Sequence, residues 1–300
     1  MIEISNFLEM KEKYINKVYD LFKESNKESN IKKIEEYETH CKSSHFNFGN
    51  DYYILTEGDM VKAILGLITK PIEESGDAYI TDVSCKEEDK KYLDFLFKQI
   101  KKKTINLKDH TLKAGFKENN SYVEEILLNN GGINPYEILE MKYTNNEEID
   151  NIESNSLIGF ELLNKEKESE YIYVHNESFK NSPNGSTIQV EDMKEVFENY
   201  NKYSFYEIAI LKENNNPIGF YEVLIDNGVG EIDSIGVIPE FQRKGYGLQI
   251  LKKAVEVLKG KNPVEIKLIV VSTNENAFKM YKKYGFEVEK IHSKWYELAY

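Results

Sequence analysis

Apolar residues recur along the second half of the chain with two periods, and their order predicts alternating strands and helices. Gly159 to Leu163 reads as a short strand. Ser169 to Phe179 and Val190 to Tyr200 carry apolar residues at helical spacing, among them Val190, Met193, Val196 and Phe197. Tyr206 to Leu211 and Ile218 to Ile225 read as strands flanking the turn Glu213 to Pro217, and Gly230 to Val237 as another. Leu248, Leu251, Val255 and Leu258 fall on one helical face, and Gly260 to Pro263 stops that helix. Val264 to Val271 is rich in β-branched residues, as a buried strand would be. Ala277 to Tyr284 follows as a short helix closed by Gly285, and Trp295 to Leu298 as a last strand.

The first half repeats this order in weaker form. Asp51 to Leu55 and Val61 to Ile68 suggest a hairpin-like pair, Ala78 to Val83 a strand, and Tyr92 to Lys101 a helix with Leu93, Leu96 and Phe97 on one face. Thr111 to Gly115 (strand), Tyr122 to Leu128 (helix) and Glu137 to Tyr143 (strand) complete it. Ile80 to Asp82 parallels Ile232 and Asp233, and Asn120, Val123, Leu127 and Gly131 parallel Asn274, Ala277, Tyr281 and Gly285 at identical spacing. An internal repeat of this size points to tandem duplication. Thr144 to Ser156, poor in large apolar residues, divides the copies. The expected organisation is an α/β chain with one domain over 1–144, a linker over 145–156 and a second domain over 157–300.

Composition narrows the function. The 300 residues are 40% hydrophobic and 30% charged, as expected of a soluble globular chain. No apolar run approaches the ~20 residues that cross a bilayer, and Met1 to Lys11 does not read as a signal peptide. Membrane partners are therefore not expected. Cys41 and Cys85 have no metal-ligand spacing and no disulfide framework, which suggests reduced thiols in a cytoplasm. Cys85 could be an acyl-carrying nucleophile or a strand-end residue. No histidine near it in sequence would activate it. A net charge of −13 argues against nucleic acid and is compatible with a cationic partner. None of the five histidines, His292 included, falls in a motif, and no metal site is expected.

The segment richest in chemistry is Val237 to Gly247, between a strand and a helix, with the core Gln242-x-x-Gly245-x-Gly247. A helix N-terminus offers unpaired N–H groups and a partial positive charge, and glycines let the main chain approach a diphosphate closely. Arg243 and Lys244 add charge at the rim. Ile250 stands where a dinucleotide fingerprint needs its third glycine, and the Gly-Lys-Ser/Thr of a Walker loop is absent. A glycine-rich turn without a ligand is the competing reading.

Val237, Pro239, Gln242, Gly245 and Gly247, followed after one helix and one strand by Asn274, Ala277, Tyr281, Gly285 and Phe286, resemble the two motifs of the GNAT superfamily of acyl-CoA N-acyltransferases. The resemblance covers the second half strongly and the first half in outline. It implies two tandem GNAT-like domains, each a mixed, mostly antiparallel sheet flanked by helices. It also implies an N-acetyltransferase that moves an acetyl group from acetyl-CoA to a primary amine by direct attack in a ternary complex. Gln242, Arg243, Lys244, Gly245, Tyr246 and Gly247 would hold the pyrophosphate. Ile235, Gly236 and Val237 would lie beside the pantetheine arm, with Gly236 suited to a bulge. Tyr281 would be the general acid on the departing sulfur, or else a core tyrosine. Asn274 would contact the cofactor or cap a helix. Glu231 and Asp233, on one face of a strand, are candidates for the base or else solvated carboxylates, with Glu222 in reserve.

In the first half, Cys85 to Lys91 has no glycine at the loop position and three successive acidic residues, Glu87, Glu88 and Asp89. Leu127 replaces the tyrosine. This copy is expected not to bind CoA. A catalytically inactive CoA-binding sensor remains the other reading of the chain. The acceptor, a small amine or a peptide N-terminus or lysine, is not encoded in a motif.

Overall fold

The computed structural model describes residues 1–27, 29, 31–105, 111–117, 121–145, 158–180 and 187–298. Packing divides the chain into one unit of Met1–Ile138 with Ile291–Tyr300 and another of Leu139–Lys290.

The first unit contains β1 (Ile2–Asn6), α1 (Ile15–Ser25), α2 (Ile34–Cys41), β2 (Tyr52–Glu57), β3 (Met60–Ile68), the single turn α3 (Ile72–Ser75), β4 (Asp77–Cys85), α4 (Lys90–Thr104), β5 (Thr111–Phe116), α5 (Ser121–Asn129) and the start of β6 (Gly132–Tyr143). Its strands run in the order β1-β2-β3-β4-β5. All neighbours are antiparallel except β4 and β5, which run parallel. Both faces are covered, so β2 is apolar from Tyr52 to Leu55. Tyr53 and Leu55 meet Leu93, Leu96 and Phe97 of α4, while Tyr52 and Ile54 meet Val18 and Phe22 of α1 and Tyr37 of α2.

The second unit contains β7 (Ile158–Leu162), α6 (Glu168–Phe179), α7 (Met193–Lys202), β8 (Phe205–Glu213), β9 (Asn216–Asp226), β10 (Val229–Val237), α8 (Tyr246–Lys259), β11 (Glu265–Val271), α9 (Glu275–Lys283) and the start of β12 (Phe286–Leu298). Its order β7-β8-β9-β10-β11 repeats that of the first unit, with β10 and β11 the parallel pair. Turn chemistry fixes the hairpins. Asn214 and Asn215 (φ 51° and 64°) and Asn227 and Gly228 (φ 50° and 83°) are left-handed pairs, the conformation a two-residue hairpin loop requires. On one face Ile232, Val223 and Leu268 pack under Ile250, Leu251, Val255 and Leu258 of α8. On the other Phe220, Leu224, Tyr206 and Ile208 pack under Tyr171 and Val174 of α6. Truncating a fully buried side chain such as Leu251 to alanine costs about 2–5 kcal/mol.

Both units thus have the expected mixed, mostly antiparallel sheet with flanking helices. The division differs from cuts at 144 and 157. Leu112–Phe116 of β5 pair with Lys294–Leu298 of β12, which places the end of the chain in the first unit. Leu139 to Tyr143 belong to the second unit, where Lys142 bonds Glu265 at 2.5 Å. Of the expected linker only Asn145 is described. Trp295–Leu298 is the end of a strand that starts at Phe286, and β1, α1 and α2 form where no element was expected.

Candidate active site

β10 opens the site. It pairs with β11 only from Val229 to Ile232, opposite Glu265 to Leu268. Against β9, the register shifts between Ile232 and Ser234, leaving Asp233 as the extra residue of a β-bulge. Beyond the bulge β10 continues to Val237 beside β9 alone. A wedge therefore opens between the two parallel strands, with backbone groups of residues 233–237 along one side. The bulge lies at Asp233, not at the expected Gly236. Gly236 is in register with Phe220, and a Cβ there would meet the Phe220 ring and stand 2.7 Å from Ser178 Oγ. Its missing side chain lets α6 close on the strand.

The turn after β10 sits at the mouth of this wedge. Pro239–Phe241 form one 3-10 turn, and Gln242 Nε2 donates to Val237 O at 2.9 Å, folding the loop back on its strand. Arg243 (φ 60°) and Gly245 (φ 91°) are left-handed, and Gly245 is the N-cap of α8. The first bond along the helix is Gln249 N–H to Gly245 O at 3.2 Å, so the preceding amides belong to the turn that has no intrahelical acceptor. Gln242 to Gly245 are exposed, and nothing lies within 4 Å of where a Gly245 Cβ would stand. Gly247 faces Met280, whose Sδ would be 3.4 Å from an added Cβ. The turn has the main-chain amides, the room and the left-handed residues that a diphosphate cradle needs. Tyr246 contributes only backbone there: its side chain is buried and its hydroxyl donates to Glu213. Lys244 extends over the Phe241 ring, 4.8 Å from its centre.

Three carboxylates lie on the α6 face of the sheet. Glu222 on β9 pairs with Ser234 and faces Asp233 across the bulge. Tyr171 OH donates to Glu222 Oε2 at 3.1 Å, and Tyr206 OH donates to its Oε1. Burial and the neighbouring Asp233 push the Glu222 carboxyl up to about 7, against the two phenols, which lower it. Asp233 is open to solvent on one side yet densely surrounded by protein, and burial holds its carboxyl above the ordinary carboxylate range. Glu231 shares the face but lies below the split, opposite Lys267. Burial and Asp233 raise its carboxyl. Lys267 already pairs with Glu140 (3.1 Å), Glu265 (2.9 Å) and Glu289 (2.8 Å). Glu222 and Asp233, rather than Glu231 and Asp233, form the pair beside the wedge.

Tyr281 is on the other face, buried with Ile250 and Phe286, and burial pushes its phenol up to about 12. Asn274 caps α9: its Oδ1 accepts from Ala277 N–H at 3.2 Å, and the residue is otherwise exposed. No motif points to the Tyr171 and Tyr206 side chains, whose meeting at Glu222 depends on how α6 and β8 pack beside β9.

The first unit opens the same wedge. β4 pairs with β5 only from Asp77 to Ile80, and its register against β3 shifts between Thr81 and Ser84 around Asp82 (φ 52°). There the resemblance ends. Asp82 Oδ2 is bonded to His40 Nε2 at 2.6 Å. At the loop position Glu87–Asp89 form a 3-10 turn, with Asp89 held by Lys62 at 3.0 Å and Glu57 accepting from Tyr92 OH at 2.5 Å. Carboxylates stand where a diphosphate would need donors. Leu127 is fully buried in the core. Asn120 lies outside the described residues. Cys85 is buried, and burial pushes its thiol up to about 12, which removes it as a nucleophile at neutral pH.

Among the described residues no group of three or more His, Cys, Asp or Glu is placed to hold a metal ion, and no helix is long and apolar enough to cross a membrane.

Residues 162–286 match the sequence model of the acetyltransferase (GNAT) family. Over 103 residues the chain is 29% identical to the uncharacterized N-acetyltransferase CgeE of Bacillus subtilis (strain 168), covering 31% of this chain and 39% of that protein. Over 97 residues it is 28% identical to the uncharacterized N-acetyltransferase MJ1207 of Methanocaldococcus jannaschii, covering 30% and 43%. The chain thus spans about two-fifths of the length of these curated relatives. Among solved structures, a GCN5-related N-acetyltransferase from Sphaerobacter thermophilus superimposes with a TM-score of 0.68 at 14% identity, covering 99% of this chain and 95% of that one. A tandem GNAT protein from the clavulanic acid biosynthesis pathway does so with a TM-score of 0.62 at 8% identity, covering 99% and 97%. These identities speak for the fold.

Proposed function

We infer that this chain, whose residues 162–286 belong to the acetyltransferase (GNAT) family, is an N-acetyltransferase that transfers an acetyl group from acetyl-CoA to a primary amine by direct attack. The observation that carries the reading is the open wedge beyond Asp233 with the turn Gln242 to Gly247 at its mouth, exposed from Gln242 to Gly245. The turn fits a pyrophosphate, and the backbone of residues 233–237 fits an extended arm added like a strand.

When bound, acetyl-CoA supplies the thioester. The residues of this chain supply the rest. Glu222 and Asp233 take the proton that the ammonium must lose before nitrogen can attack. With Glu222 titrating near 7, the carboxylate is ionised above that pH and still basic enough to accept a proton. Tyr281, neutral up to about pH 12, keeps a proton for the departing sulfur. The ammonium gives its first proton to the carboxylate pair; as the C–N bond forms and the C–S bond breaks, the phenol protonates sulfur and the second proton lost by nitrogen restores the phenol through solvent, so one proton is released overall. The carboxylates favour an acceptor that arrives as a cation, a small amine or a peptide N-terminus or lysine. We place the reaction in the cytoplasm, where the buried thiols Cys41 and Cys85 would stay reduced.

Calorimetry with acetyl-CoA, followed by CoA release across a panel of amines, tests the reading. Binding with turnover on at least one amine is expected. Binding without turnover on any would make the chain a CoA-binding sensor instead.

A further inference from the structure

We propose that Tyr171 and Tyr206 are positioning residues for the proton acceptor. The two phenols arrive from α6 and β8 and grip opposite oxygens of Glu222, holding it toward Asp233. This rests on the transferase reading above.

A glutamate on a strand face beside a cleft has several rotamers, and a base must present its oxygen in one. Here each oxygen holds one donor, Tyr171 on Oε2 at 3.1 Å and Tyr206 on Oε1. A carboxylate has about four acceptor sites, so two directions stay free for an incoming N–H. The nature of the donors matters as much as their placement. Among the described residues, neither Glu222 nor Asp233 forms an ion pair with a lysine or arginine. A full positive charge in either tyrosine's place would hold Glu222 firmly ionised and remove its basicity. A neutral phenol orders the carboxylate and lowers its proton affinity only partly. The other groups around Glu222 keep to this pattern. On α6, His175 is buried, and burial pushes its imidazole toward the neutral form. On α7, Tyr200 packs on Tyr206 with ring centres 4.9 Å apart. On β10, Asp233 and Glu231 are carboxyls that burial raises above the ordinary carboxylate range, and neither brings a positive charge. Burial and Glu222 push the phenols of Tyr171 and Tyr206 up, so both remain donors across the working range.

The test follows the carboxyl itself and the reaction together. Glu222 is assigned in ¹³C-carboxyl NMR spectra by its loss in Glu222→Gln, then titrated in the wild type, Tyr206→Phe and Tyr171→Phe. The acid limb of kcat/KM is recorded for the same proteins with the best amine. Removing a phenol should raise the Glu222 midpoint and move the acid limb the same way by roughly one pH unit. That is about 10-fold lower kcat/KM at pH 6, converging with wild type at high pH. Both variants are expected to unfold cooperatively and to bind acetyl-CoA normally. If the midpoint stays put in both variants while wild-type turnover is intact, the proposal is overturned and the transferase reading stands. If the midpoint moves without the acid limb, Glu222 is not the base, and the positioning role falls with it.

Discussion

The two units of this chain share a strand order, a single parallel pair and a wedge that opens at a bulged aspartate, yet they differ in every group that could serve acyl transfer. In the second unit Asp233 faces Glu222 and makes no ion pair among the described residues. In the first, Asp82 is tied to His40. At the wedge mouth the second unit exposes the residues Gln242 to Gly245, and the first closes the same place with Glu87, Glu88 and Asp89, the last neutralised by Lys62. The lesson is that the wedge is a property of the fold, whereas ligand binding depends on a few residues set around it. A sheet can hold the split without glycines in the loop, because the split is fixed by strand register and the loop is not.

Substitutions in each unit test this contrast. Glu222→Gln removes the proton acceptor and should lower kcat/KM by about 10³-fold, with acetyl-CoA affinity unchanged in calorimetry. A loss below 10-fold would shift the role to Asp233. Tyr281→Phe should reduce turnover by about 10²-fold without affecting binding, and unchanged turnover would leave Tyr281 a core residue. Gly245→Val puts a β-branched residue at φ 91°, and relaxing that strain should weaken acetyl-CoA binding by about 10-fold, since a left-handed residue costs roughly 1–2 kcal/mol. The matching change in the first unit, Lys90→Ala, alters only an exposed pair with Glu125 and should leave acetyl-CoA affinity as it is. The acid limb of the reaction should rise through pH 7, because Glu222 must lose its proton to act and burial has raised its carboxyl to about 7. A limb near 4 would mean an ordinary exposed carboxylate does the work.

Much of the second unit was legible in its residues. The turn signal from Glu213 to Pro217, the apolar face of α8 and the glycines of the loop are local, and local chemistry fixed them. The carboxylate pair was half legible. Parity along β10 put Glu231 and Asp233 on one face, but the bulge that opens the wedge is set by β9 and β11. The partners of Glu222 were out of reach for a similar reason. Glu213 pairs with Asn216 at the hairpin, and a register shift between Leu211 and Lys212 moves Ile208, not Glu207, opposite Glu222. That one-residue shift brings Tyr206 to the same face. In the first unit Val18, Leu21 and Phe22 have helical spacing, but the charged residues around them obscure α1. Glu287, Glu289 and Lys290 likewise hide the start of β12, because that stretch of strand carries charge on its accessible side.

Hydrogen–deuterium exchange with and without acetyl-CoA tests the central contrast most directly. Added cofactor should slow exchange in peptides covering residues 233–247 and leave those covering residues 81–91 unchanged. Equal protection at both wedges, or protection confined to residues 81–91, would contradict the assignment of cofactor binding to the second unit.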